Sequence, residues 1–206
     1  MDTIRTGDLI LAADACAEAL SPHVDADWGV RAGDIEWTCR RTLGHIVDVL
    51  TFYTDHLATR ASERLAFKRD VGPDLTIEEL LSFVRSQASV LALVCDASPD
   101  ARAYHAAGSA DATGFVAMGC DEILVHTNDV CTGLGLGFSP DPDLSAKVVA
   151  RLFPWAPDHP DPWERLLWCN GRIGLPDHER LTQDWWWWSR PLSEWDGTAY
   201  TRTQPT

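Results

Sequence analysis

Apolar residues recur along most of this chain at intervals of three and four, the spacing that gathers them on one face of an α-helix. Over residues 6–20 the stripe is Leu9, Ile10, Ala13, Cys16, Ala17 and Leu20. After a loop with Pro22, Gly29 and Gly33, a second stripe of Leu43, Ile46, Val47, Leu50, Tyr53 and Leu57 predicts a helix over residues 37–60. Residues 61–75, with Gly72 and Pro73, are too many for a tight helix hairpin and suit a crossover connection. Thr76, with Glu79 three positions on, has the spacing of a capping box and opens a third helix through about residue 94, closed by Ser98, Pro99 and Asp100. A fourth helix runs over about 111–131. Gly133, Gly135 and Gly137 then read as left-handed caps, because a phosphate-cradling glycine loop follows a strand and opens a helix, whereas this run follows a helix.

Beyond Pro140 the pattern changes. Prolines at 140, 142, 154, 157, 160 and 162 bound short helices over 143–153 and 163–173, followed by a Trp-rich segment and a polar tail from Gly197. No strand-like alternation of useful length precedes that tail. The expected fold is all-α. Residues 1–139 form a four-helix bundle with a long crossover between the second and third helices, and residues 140–206 form a Pro/Trp-rich extension packed on it.

Composition narrows the function classes. A chain of 206 residues suits one domain, or one with an appendage, and can bury a substantial core. The six cysteines are scattered through apolar helical stretches without a C-x-x-C pair, so they read as reduced core residues, which suits the cytoplasm. The N-terminus leads into an amphipathic pattern, and no uninterrupted apolar run approaches the ~18 residues of a membrane span, so no membrane partner is expected. With 31 acidic against 17 basic residues and a formal charge of −14, the chain repels phosphate backbones, and nucleic acid is not an expected partner.

Against this background three residues stand out. Glu122 and His126, at i and i+4, stack on one helix face where they can grip one cation, and His45 from the second helix completes a three-ligand set. An isolated E-x-x-x-H is more often a solvated surface pair. Here Ile123, Leu124 and Val125 surround the pair, and a carboxylate drawn inward is costly unless paired or bound to metal. Three ligands with an open fourth position describe a catalytic centre better than a closed structural one. Phe115, Gly119, Glu122, His126, Asp129 and Gly133 share one stripe, whose small members would leave room. His56, eleven residues beyond His45, lies about 16 Å further along the axis and cannot bind the same ion, so it reads as an ordinary half-exposed histidine.

These residues, together with Trp28, the run from Trp37 to His45, and the run from Glu122 to Asp129, resemble the DinB-like bundles, especially the branch containing mycothiol-dependent maleylpyruvate isomerase. The resemblance covers roughly residues 1–135. It implies a divalent metal, zinc before nickel or iron, on His45, Glu122 and His126, with mycothiol as thiol cosubstrate and a small electrophilic molecule as substrate. The implied activity is that of a thiol transferase or isomerase. Arg172, in the run from Leu167 to Arg172, resembles a Gly-Arg element of the wider family. As a catalytic and cofactor-binding candidate it could hold a substrate carboxylate bidentately, or serve only as a surface cation. Asp129, one turn past His126, could orient that ligand.

Four consecutive indoles, Trp185 to Trp188, cannot all face one core, because successive helical side chains diverge by about 100°. Asp184 would cap a short helix whose Trp185 and Trp188 pack back on the bundle. The segment then closes the core, makes a homodimer contact, or walls the metal cleft, where Trp185 and Trp188 would touch the bound cofactor. Three alternatives to thiol transfer stay open. Water in the open position makes a hydrolase, iron in the same donors makes an oxygenase triad, and a non-catalytic binding protein would keep the metal without turnover.

Overall fold

Polar groups that turn back on their own first turn set where the long helices begin. In the computed structural model, which describes residues 3–66, 74–182 and 186–200, the Arg5 N–H donates to the Asp8 carboxylate (2.7 Å) at the start of α1 (Thr6–Leu20). Thr38 accepts from the Arg41 N–H (3.2 Å) to cap α2 (Cys39–Thr59). The expected capping box of Thr76 and Glu79 is present in both directions at α3 (Ile77–Ala97). Asp111 caps α4 (Ala112–Gly133) through the Gly114 N–H (2.9 Å). At the far end of α4, Gly135 adopts φ 71° and donates to Thr132 O, while Leu136 donates to Cys131 O. This is the paired closure of a left-handed helix cap, so the glycine run ends a helix, as its sequence position suggests.

Packing follows the stripes. α1 and α2 each lie against α3 and α4 and sit diagonally across from one another. Leu9, Leu20, Leu43, Leu50, Leu91, Phe115 and Met118 are fully buried between them. Room was expected beside the small residues of α4, yet a Cβ at Gly119 would meet Leu9 Cδ2 at 2.6 Å and Leu50 Cδ2 at 3.2 Å. The glycine lets core leucines close in, and no cavity opens there.

Past residue 139, α5 (Pro142–Leu152) packs on α4, and α6 (Pro162–Cys169) packs on α5. Leu144, Val148, Leu152 and Leu166 join the same apolar cluster as Leu50 and Phe115, so this region shares the core of the four long helices. The molecule is mostly helical. The departure is a short antiparallel hairpin, β1 (Arg102–Ala103) with β2 (Ala110–Asp111), pairing Arg102 with Asp111 and Ala103 with Ala110. Two-residue strands are too short to produce the period-2 alternation that marks strands in sequence. α3 is long and apolar enough to cross a membrane by length and composition, with a mean hydropathy of 1.4. Its Leu80, Leu81, Val84, Ala88 and Leu91 are buried in the core. All six cysteines are buried and unpaired, and burial pushes the Cys16 and Cys95 thiols up to about 12.

The Trp-rich segment differs from the expected short helix. Asp184 and Trp185 lie outside the described residues, and residues 186–200 are non-helical apart from a turn of 3-10 helix at Leu192–Glu194. Arg151, buried on α5, fixes this segment. Its guanidinium donates to Trp188 O (3.1 Å) and Ser189 O (3.3 Å), to Thr113 Oγ1 (3.0 Å) and to the Asp111 carboxylate. Trp188 N–H donates to Leu152 O (2.7 Å). The chain passes so close to α4 that a Cβ on Gly114 would stand 2.3 Å from Ser189 O.

Candidate metal centre

Capping fixes the phase of α2 and α4, and their packing turns His45, Glu122 and His126 toward one another. Glu122 Oε2 lies 3.3 Å from His45 Nε2 and 3.2 Å from His126 Nε2. One ligand atom from each residue falls within a group no wider than 4.8 Å. Ligands bonded at ~2.0–2.1 Å around a tetrahedral ion stand about 3.3 Å apart, so the two Glu–His edges already have the spacing that zinc requires. The side chains are 19%, 11% and 13% exposed, enough for an ion or small molecule to reach them.

A second layer orients the first. His126 Nδ1 is 2.9 Å from Asp129 Oδ2, which assigns the Nδ1 proton to that bond and leaves Nε2 facing Glu122. Asp129 is held in turn by Arg172, whose Nε donates to Oδ1 (2.9 Å) and Nη2 to Oδ2 (2.7 Å), while Nη1 donates to Asn170 O (2.8 Å). Tyr53 donates its hydroxyl to Glu122 Oε1 (3.3 Å). The rings of Trp37 and His45 lie 4.8 Å apart, with Trp37 6.2 Å from His126.

The charges interlock. Burial would raise the Glu122 carboxyl, but hydrogen bonds from His126 and His45, and their charge, hold it well below the ordinary carboxylate range. Burial works against a charged His126, yet its bonds to Asp129 and Glu122 raise the imidazolium to about 9. Burial likewise opposes charge on Asp129, and Arg172 and His126 overcome it and hold the carboxyl low. His126 thus stands between two carboxylates, Glu122 and Asp129, that both favour its charge. Were a divalent cation bound, His126 Nε2 and the Glu122 carboxylate would be among its ligands, and binding would compete with protonation of that nitrogen.

Two members of the triad, His45 and Glu122, line a cavity of about 240 Å³ together with Tyr53, Arg64, His105, Trp186 and Trp187. Of the two Trp that the sequence singled out, Trp188 is not placed there. Trp185 lies outside the described residues, and Trp188 is buried against Ala107 and Tyr200, its indole N–H on Pro191 O (3.1 Å). The reason is the non-helical backbone of this segment, which hands the cavity wall to Trp186 and Trp187. The fork of Arg172 is taken up by Asp129 and Asn170 O, which ties it to the support of His126. His56 is fully buried, not half-exposed. Its Nδ1 bonds Phe52 O (2.8 Å) and its Nε2 accepts from the Leu65 N–H (3.1 Å), so neither nitrogen is left for a metal.

No family model, curated protein or solved structure matches the chain. Sequence reasoning missed Tyr53, which looked like one more member of an apolar stripe, and His105, which sits in the hairpin loop with no periodic neighbour to mark it.

Proposed function

We propose that this chain is a metal-dependent enzyme of the DinB-like, thiol-using kind, a transferase or isomerase built on a four-helix bundle. The observation that carries the reading is the chain Arg172–Asp129–His126, which fixes one candidate ligand in the tautomer and orientation that metal binding needs. A surface Glu–His pair has no use for such support. His45, Glu122 and His126 would hold a divalent ion, zinc fitting the donors best, and mycothiol is the proposed thiol. When bound, the ion supplies a Lewis acid that brings a thiol to its thiolate at neutral pH. The protein's own residues do the rest. Tyr53 holds the second Glu122 oxygen, Asp129 keeps the Nδ1 proton of His126, and the aromatic walls exclude water from an electrophile in the cavity.

Elemental analysis of untagged protein tests this. About one zinc per chain is expected, strongly reduced in Glu122→Gln and His126→Ala and retained in His56→Ala. No bound metal after incubation with zinc, or equal loss in all three variants, would overturn the ligand assignment. For the metal-loaded protein, turnover of an electrophile that depends on added thiol supports the transferase reading. Ester hydrolysis without thiol would replace it with a hydrolase.

A further inference from the structure

A second cleft, of about 490 Å³, adjoins the metal cavity and shares Tyr104, His105 and Ala106 with it as a common wall. Its other lining residues include Arg102, Ser109, Arg190 and Glu194. Arg102 donates to Ser109 O (2.7 Å) and pairs with Glu194, the one carboxylate of this lining among the described residues. Arg190 is different. Among the described residues no hydrogen bond or ion pair takes up its guanidinium, and its charge reaches Glu194 only at longer range.

The side chain of Arg190 is nevertheless held in place. Its guanidinium carbon lies 5.5 Å from the ring centroid of Trp188, a cation–π stack. Its stem and Nε cross Gly108, where a Cβ would stand 2.5 Å from Nε and 3.1 Å from Cγ. Gly108 has φ 118°, a backbone conformation open to glycine, so this position both forms the loop and leaves the arginine its path. In a chain of net charge −14, the cleft thus presents two arginines against one already paired glutamate. A cleft of one sign concentrates ligands of the other.

We infer that this cleft is an anion subsite for the same ligand whose other end lies over His45 and Glu122. The ligand class is an amphipathic carboxylate, with an apolar or aromatic body between Tyr104, Trp186 and Trp187 and its anionic group on Arg190. His105 stands at the junction of the two lobes. Its Nδ1 accepts the Ala107 N–H (3.1 Å), which puts the ring proton on Nε2, and among the described residues Nε2 has no hydrogen-bond partner. It therefore has an N–H to offer a ligand passing between the lobes. The link to the triad rests on the metal-site reading, whereas the anion subsite rests on Arg190 and stands without it.

The test is calorimetric titration of the protein as purified, and again after treatment with EDTA, using ω-phenylalkanoates of increasing chain length and their matched primary amides. At the best length the carboxylate is expected to bind at least tenfold more tightly than its amide, in both preparations. Arg190→Gln should bring that ratio to within twofold, and Arg190→Lys should keep most of it. Ser109→Glu, an exposed change that adds an opposing carboxylate, should invert it. Equal affinity of acid and amide at every length would overturn the subsite. So would a preference for the acid that survives Arg190→Gln and Ser109→Glu. A preference that vanishes only with EDTA would place the carboxylate on the metal, overturning the subsite and leaving the metal reading intact. Absence of zinc with the preference retained would do the reverse.

Discussion

At the scale of single residues, the candidate site is a relay in which each side chain is fixed by the next. Asp129 is not one of the three candidate ligands, yet its bond to His126 Nδ1 leaves Nε2 turned to Glu122. Asp129→Asn should therefore leave the fold intact and weaken metal affinity by about 10- to 100-fold, the usual cost of losing such an outer partner. Competition against a chromophoric chelator reads this directly, and unchanged affinity would remove Asp129 from the site. His105 gives a second prediction. Burial lowers its pKa from 6.5 to about 4, partly offset by the charge of Glu122. Between those pH values the unfolded chain takes up a proton that the folded chain refuses, so stability falls as pH drops from 6.5 toward 4 and is unaffected above 7. The full loss is about 3 kcal/mol. His105→Asn, which keeps an acceptor for the Ala107 N–H, should flatten the difference between urea midpoints at pH 7 and pH 5. An equal slope in variant and wild type would show that other groups govern acid sensitivity.

At the scale of elements, helix ends carry the information that places the site. α2 closes through Arg60, the non-glycine residue held at positive φ (51°) among the described residues. Its N–H donates to Leu57 O (3.1 Å) and that of Ala61 to His56 O (3.0 Å), a closure in which glycine is the residue without steric cost. Arg60→Gly should stabilise the protein by about 0.5–1 kcal/mol, read as a higher urea midpoint at unchanged slope. A lower midpoint would mean that the arginine side chain contributes more than its backbone strain costs. The buried His56 anchors the same end, holding Leu65 and with it the start of the crossover.

At the scale of the whole molecule, one buried arginine connects the C-terminal segment to the helices. Arg151 bridges Asp111 at the start of α4 and the backbone of Trp188 and Ser189, so the wall formed by Trp186 and Trp187 depends on a residue of α5. Arg151→Ala leaves Asp111 with only the Gly114 N–H and the Thr113 hydroxyl, strips Trp188 O and Ser189 O of their donor, and should cost about 1–3 kcal/mol. It should also shift tryptophan emission to longer wavelength as the segment loosens. Loss of stability without an emission change would mean that the segment stays docked by its own packing.

The sequence by itself determined the helical class, the start of α3 at its capping box and the pairing of Glu122 with His126, because these depend on periodicity and on contacts three or four residues apart. It also singled out His45, since a histidine beside a buried stripe faces inward with it. Only the tertiary structure decided what lies across those faces. Leu9, Leu50 and Leu91 fill the space that the small residues of α4 seemed to offer, and Asp129 occupies the fork of Arg172. Likewise Trp186 and Trp187, not Trp188, meet the cavity, and the hairpin loop delivers His105 to it. Each of these contacts joins residues far apart in the chain, where local pattern carries no record of which partner arrives first.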